Sequence, residues 1–190
     1  MNTKRIILLS LSLLITFGCF SQVEEAVDIR EQKQLRRTAR KEERKAEEEK
    51  ALALTKQLIN TRKFVLIADY IGNKTGNKVP VSQTINFLKI DTSYCVIQIG
   101  SMNSIGYNGV GGITAEGTIS SFKTTTNKKG NSYTLTLVTN TNIGTYDIVI
   151  FVNAFGNADA TITGTTYGAL KYYGRLVPIE DARTYQGRSL

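Results

Sequence analysis

The chain contains no histidine, and with that absence go the commonest general base and the commonest metal ligand. A zinc centre is excluded, and so is a nucleophile activated by an imidazole. Cysteine is nearly as scarce, with Cys19 and Cys95 the two copies in 190 residues. Such a count permits no disulfide framework, so stability must come from an apolar core. Cys95, in the run Tyr94-Cys95-Val96-Ile97-Gln98-Ile99, reads as a small buried hydrophobe. Proline and glycine are missing altogether from residues 23–62, which removes the usual helix breakers from that stretch.

What is present falls into segments. Residues 1–21 open with Lys4 and Arg5, continue through Ile6-Ile7-Leu8-Leu9-Ser10-Leu11-Ser12-Leu13-Leu14-Ile15, and end in Gly18-Cys19-Phe20-Ser21. A charged start, an apolar core too short to span a bilayer, and a small-residue ending make a secretory signal peptide. Two processing routes fit. Cleavage before Gln22 gives a soluble mature chain, and this is the favoured expectation. Alternatively, Cys19 receives lipid and becomes the new N-terminus, although Thr16 and Phe17 depart from the usual pattern before such a cysteine.

Residues 22–62 are rich in Glu, Lys, Arg, Gln, Ala and Leu, all good helix formers. The apolar residues from Arg30 to Lys50 make no continuous stripe, which predicts a solvated helix rather than a coiled coil. If helical throughout, this segment would reach about 60 Å and serve as a spacer. From Ala51 to Ile59 the apolar residues Leu52, Leu54, Leu58 and Ile59 recur at helical spacing, so this face is expected to dock on the domain that follows. The formal net charge is +8. Eleven basic and nine acidic residues lie between Gln22 and Arg62, leaving eleven and seven beyond. So small a surplus, on an exported chain, excludes a nucleic-acid partner.

From Lys63 the period switches to two. Strands are predicted near residues 64–70, 84–90, 93–99, 113–118, 120–126, 132–139, 146–152, 158–165 and 169–176, with clean alternation in Tyr133-Thr134-Leu135-Thr136-Leu137. Short Asn/Gly-rich turns such as Asn127-Lys128-Lys129-Gly130-Asn131 separate them. The predicted fold is mainly β: an antiparallel up-and-down meander closed into a barrel or strongly curved sheet, with a β-sandwich as the alternative. The domain boundaries are 1–21 signal peptide, 22–62 helical spacer, 63–178 β domain and 179–190 C-terminal extension, the last expected to be ordered along the surface.

Gly106, Gly109, Gly111, Gly112 and Gly117 crowd one stretch, residues 105–122. No Gly-Lys-Ser/Thr opens a helix there and no βαβ unit surrounds it, so neither phosphate-loop context is met. The glycines read as a tight turn or bulge in a bent sheet, with a ligand-contacting loop as the other reading. Asp69, Asp91, Glu116, Asp147, Asp159, Glu180 and Asp181 offer no marked carboxylate pair for hydrolysis. All nine tyrosines lie beyond Lys63, and tyrosine suits both sheet packing and binding surfaces. Tyr107 inside the glycine stretch and the Tyr172–Tyr173 pair, whose rings point to opposite faces, are the candidate ligand-binding positions; no catalytic residue and no metal ligand is assigned.

The export signal, the Lys/Arg/Glu-rich helix, the run Asn108-Gly109-Val110-Gly111-Gly112-Ile113-Thr114-Ala115-Glu116-Gly117, Lys128-Lys129-Gly130-Asn131, Tyr173-Gly174-Arg175-Leu176-Val177-Pro178 and Tyr185-Gln186-Gly187-Arg188 together resemble the domain of unknown function 4251 family of Gram-negative envelope proteins. The resemblance implies a secreted β domain in the periplasm or cell envelope, without an assigned activity and without site residues to carry over. The expected function is non-catalytic binding of a small ligand or an envelope protein by a β domain on a helical spacer. The alternative is a structural or assembly role exerted through the charged helix. No cofactor is expected, and membrane contact is expected only if Cys19 is lipidated.

Overall fold

The computed structural model describes residues 3–103, 106–164 and 168–189, with side chains from Arg30 onward within those ranges. The Cys19 side chain and the other side chains before Arg30, together with Ile105, Thr165 and Tyr167, lie outside the described residues. The chain divides into two units, Met1–Glu47 and Glu48–Leu190. A helix, α1 (Thr3–Thr61), accounts for the described backbone of the first unit, where every side chain from Arg30 to Glu47 is exposed. That is the state expected of a charged helix with no apolar stripe.

The second unit begins with the last turns of α1. The helix ends where Arg62 takes a left-handed conformation (φ 52°), a position more often filled by glycine. The Arg62 guanidinium lies 4.6 Å from the centroid of the Phe122 ring, a cation–π contact that anchors this corner. Among the described residues nine strands follow: β1 (Lys63–Gly72), β2 (Lys78–Pro80), β3 (Phe87–Asp91), β4 (Tyr94–Ile99), β5 (Ile113–Thr126), β6 (Tyr133–Thr141), β7 (Gly144–Val152), β8 (Asn157–Gly164) and β9 (Leu170–Val177). All ladders are antiparallel, and β9 returns to β1, from Val65 opposite Val177 to Gly72 opposite Lys171. Eight strands therefore close into a barrel, and closure settles the choice against a sandwich. β2 is a short addition that pairs with the far half of β1, Tyr70 to Gly72, on the side where β3 pairs with the near half.

Two differences from the sequence reading have local causes. The predicted strands at 113–118 and 120–126 are the single strand β5, interrupted by a bulge between Ile119 and Ser121. One extra residue shifts the inward–outward alternation and imitates a strand break. The segment predicted as strand from residue 84 starts its ladder only at Phe87, because residues 81–86 bow out of the sheet between β2 and β3. Asn86 holds that bow: its Nδ2 donates to Ser82 O at 3.0 Å and its Oδ1 accepts from Gly100 N–H at 2.9 Å.

The core fills the barrel with Phe64, Leu66, Leu88, Ile90, Ile97, Leu135, Leu137, Ile148, Ile150, Ile162 and Tyr172. Leu58 and Ile59 of α1 belong to the same cluster, and Thr55 sits against the β7–β8 turn, 3.4 Å from where a side chain at Gly156 would begin. The helix thus plugs one end of the barrel, as its apolar face predicts. A second cluster lies on the outside, where Val65, Ile67, Phe87 and Val96 are covered by Val177, Ile179 and Ala182. The tail after β9, including a 3-10 turn at Ile179–Asp181, is a strap over β1, β3 and β4.

Candidate functional site

Opposite the helical plug, the described residues leave the barrel end uncovered. Ile71, Val81, Ile99, Ile143, Tyr146 and Leu170 pack on the interior cluster yet remain only partly buried. Two concavities lie there. A cleft of about 580 Å³ runs between Val79–Ile85 on one side and Ile99–Asn103 on the other. It exists because β3 stops short and residues 81–86 bow away, so β2 has no neighbour beyond it in the wall. Its lining is Ile71, Val79, Pro80, Val81, Ile85, Ile99 and Met102, with Ser82, Ser101 and Asn103 as polar groups. A smaller cavity of about 120 Å³ lies at the mouth of the barrel between Ile97, Ile99, Ala115, Ile143, Ile162 and Leu170. Ile99 borders both.

The wall of this site is held from behind by a closed polar network. Asn108, 1% exposed, donates from Nδ2 to Ile99 O (3.2 Å) and Thr114 Oγ1 (3.1 Å), while its Oδ1 accepts from Val110 N–H (3.1 Å) and Gly112 N–H (2.9 Å). Thr114 Oγ1 donates to Gln98 Oε1 at 3.2 Å, and Gln98 Nε2 donates to Ile85 O (3.3 Å) and Tyr185 O (2.6 Å). Gln98 Oε1 also accepts from Gly187 N–H at 2.6 Å. Each amide uses both donors and both acceptor positions, which is the condition for burying it without penalty. Gly112 is required by contact: a Cβ there would collide with the Ile99 carbonyl.

The two sequence runs that carry the family resemblance therefore meet in space. The Gly187 backbone packs on Asn108, with room for no side chain, since a Cβ would lie 2.5 Å from Asn108 O. Arg188 N–H donates to Asn108 O at 2.9 Å. A family model, domain of unknown function (DUF4251), matches residues 44–176. The chain belongs to this family. A crystal structure of a DUF4251 family protein from Bacteroides eggerthii superposes with a TM-score of 0.58 at 24% identity, covering 68% of this chain and 89% of that one. At that identity the likeness speaks for the shared fold. No curated protein matches the chain.

The candidates read from sequence in this DUF4251 chain are scattered. Tyr107 is 84% exposed and borders neither concavity. Tyr172 points inward, is fully buried, and donates its hydroxyl to Gln98 O at 2.8 Å. Tyr173 points outward from the same strand, with Lys78 Nζ 3.4 Å from its ring centroid, and lines a third, shallow cleft with Phe151 and Asp159. Sequence reasoning did not find Asn86, Gln98, Asn108 or Thr114. One signal for Gln98 was available. In Val96-Ile97-Gln98-Ile99 the alternation fails, and a strand apolar on both faces is covered on both.

Among the described residues, the larger cleft carries no ionisable side chain, and Tyr146 is the one such group at the smaller. Ser120 and Lys123 have serine–lysine spacing, but the Ser120 hydroxyl donates to Val138 O at 3.2 Å. Among the described residues, no group of three or more Cys, Asp or Glu is placed to hold a metal ion. Cys95 is buried, and burial pushes its thiol from the ordinary 9.0 up to about 12, a hydrogen bond with Thr139 offsetting part of the rise. Burial and the Glu116 carboxylate that accepts its hydrogen bond at 2.6 Å likewise push Tyr94 up to about 12.

Raised folded-state values mean that the unfolded chain loses these protons first as pH rises. The stability contributed by Cys95 and Tyr94 is thus complete below about pH 9 and is lost as pH climbs toward 12. Native protein at pH 8 is expected to leave Cys95 unreactive toward 5,5′-dithiobis(2-nitrobenzoate), with labelling that tracks global unfolding in urea. Rapid labelling of the folded chain would contradict the burial.

Proposed function

We propose that this protein is an exported, non-catalytic binding domain of the Gram-negative cell envelope, taking its ligand at the barrel end opposite the helical plug. One observation carries the reading. The two barrel ends are built differently: Leu58 and Ile59 seal one, while six partly buried apolar side chains surround concavities at the other. Partly wet apolar side chains around a concave surface mark binding sites, and a cleft of about 580 Å³ falls in the usual size range for small-molecule sites. The lack of histidine and the uncharged lining favour binding over catalysis. The signal-like residues 1–21 support export, and the exposed charged side chains of α1 from Arg30 to Glu47 suit a solvated spacer.

Native mass spectrometry of the full-length gene product, isolated from the envelope fraction of its own host, tests the reading. The expected result is a chain beginning at Gln22 that carries added non-covalent mass. An unprocessed N-terminus would refute export, and acylated Cys19 would replace the soluble form by an anchored one. If no compound is retained, and no thermal shift follows addition of an envelope extract, the binding reading fails.

A further inference from the structure

The ligand's chemistry can be narrowed from the shape of the site, given the binding reading above. The cleft and the mouth cavity share Ile99, and Ile71 and Val81, which line the cleft, also pack on the interior core. The cleft therefore borders the interior cluster, with Ile99 standing between it and the mouth cavity. Polarity is graded along it. Ser82, Ser101 and Asn103 stand in the cleft, whereas the mouth cavity is walled by isoleucine, leucine and alanine with Tyr146. The inner space is small, about 120 Å³, which favours the end of a slender chain over a bulky fused-ring group.

An extended peptide is disfavoured at the same place. Adding a strand to β2 would require a row of free backbone donors. Pro80 has none, and the ladder is bracketed by Asn73 N–H to Asn77 O and Val81 N–H to Asp69 O, both directed to the β1 side. The edge thus presents few groups for strand addition.

We infer that the open end takes a single-chain amphiphile, its aliphatic tail passing between Val79 and Ile99 toward Ala115 and Ile162, and its polar head remaining at Ser82 and Ser101. An uncharged mouth with hydroxyl groups holds the head by hydrogen bonds rather than by an ion pair. Affinity therefore comes from the buried tail, at about fourfold per methylene until the space is filled.

Fluorescence titration of the mature full chain with cis-parinaric acid tests this, with displacement by octanoate, dodecanoate and hexadecanoate. Saturable binding at one site per chain is expected, with displacement strengthening along that series. Val79 is 58% exposed, so Val79→Glu leaves the fold intact and is expected to weaken probe binding about tenfold or more by setting in the tail's path a charge that also repels the probe's carboxylate. Ala115→Leu, which fills the inner cavity, is expected to shorten the preferred chain. Displacement by either hexadecanoate or a lysophosphatidylglycerol supports the inference and tells which source supplies the chain. Absence of saturable binding, or binding indifferent to chain length and to Val79→Glu, overturns it. A retained compound without an aliphatic chain, not displaced by hexadecanoate, would overturn this inference while leaving the binding reading standing. An empty protein that also ignores the probe would end both.

Discussion

Removing residues 178–190 is expected to leave a chain that does not hold its fold at 37 °C. The strap's Ile179 and Ala182 cover Val65, Ile67, Phe87 and Val96 on the barrel's outer face, and uncovering such side chains costs up to about 1.5–3 kcal/mol each. The deletion also strips Gln98 of its contacts with Tyr185 O and Gly187 N–H, leaving a fully buried amide half-satisfied at about 1–3 kcal/mol per orphaned group. The sum is comparable with the whole stability of a typical domain, about 5–15 kcal/mol. Urea unfolding followed by far-ultraviolet circular dichroism measures it. A truncated chain within about 1 kcal/mol of the full-length protein would mean that the strap merely rests on the surface. Gly187→Val gives an intermediate case, since it disturbs only the seat against Asn108 O and Val110.

Asn108→Ala should be the most damaging side-chain truncation in the glycine stretch, at about 3–5 kcal/mol. Four hydrogen bonds end on this one amide, and several partners would stay buried and unpaired at about 1–3 kcal/mol each, partly relieved by water entering. Asn108→Asp separates the two halves of the role. Its carboxylate still accepts from the Val110 and Gly112 N–H groups but can no longer donate to Ile99 O or Thr114, and repulsion of the Ile99 carbonyl adds to the loss. Asp is therefore expected to be destabilising too, with a stability deficit that shrinks as pH falls and the acid regains a donor. Chemical denaturation at pH 7 and pH 4, each against the parent protein, gives the comparison. Equal deficits at both values would contradict this role for the amide.

Architecture was legible in the sequence because it is written in periodicity. Alternation in Tyr133–Leu137 and the short Asn/Gly turns specify hairpins, and a run of hairpins with no helix between them rolls up. The docking face at Leu58 and Ile59 was legible for the same reason at helical period. What periodicity cannot convey is an irregularity whose meaning depends on a distant partner. Residues 81–86 bow out because Asn86 is tied to Gly100, and nothing near Asn86 in the chain announces it. The polar network was hidden likewise, since Gln98 and Gly187 lie far apart in sequence. The tyrosines misdirected attention for a different reason. An aromatic ring looks the same in sequence whether it fills a core, as Tyr172 does, or stands in water, as Tyr107 does.

The seam at which β9 meets β1 imposes an order on folding. Val65 pairs with Val177, so one edge of β1, in the apolar run Phe64-Val65-Leu66-Ile67-Ala68, waits for its neighbour until nearly the whole chain has left the ribosome. An apolar strand with an unpaired edge is the kind of surface that recruits other chains, and contacts of such long sequence separation form slowly. In production of this protein, losses to aggregation should therefore fall on chains interrupted before residue 170.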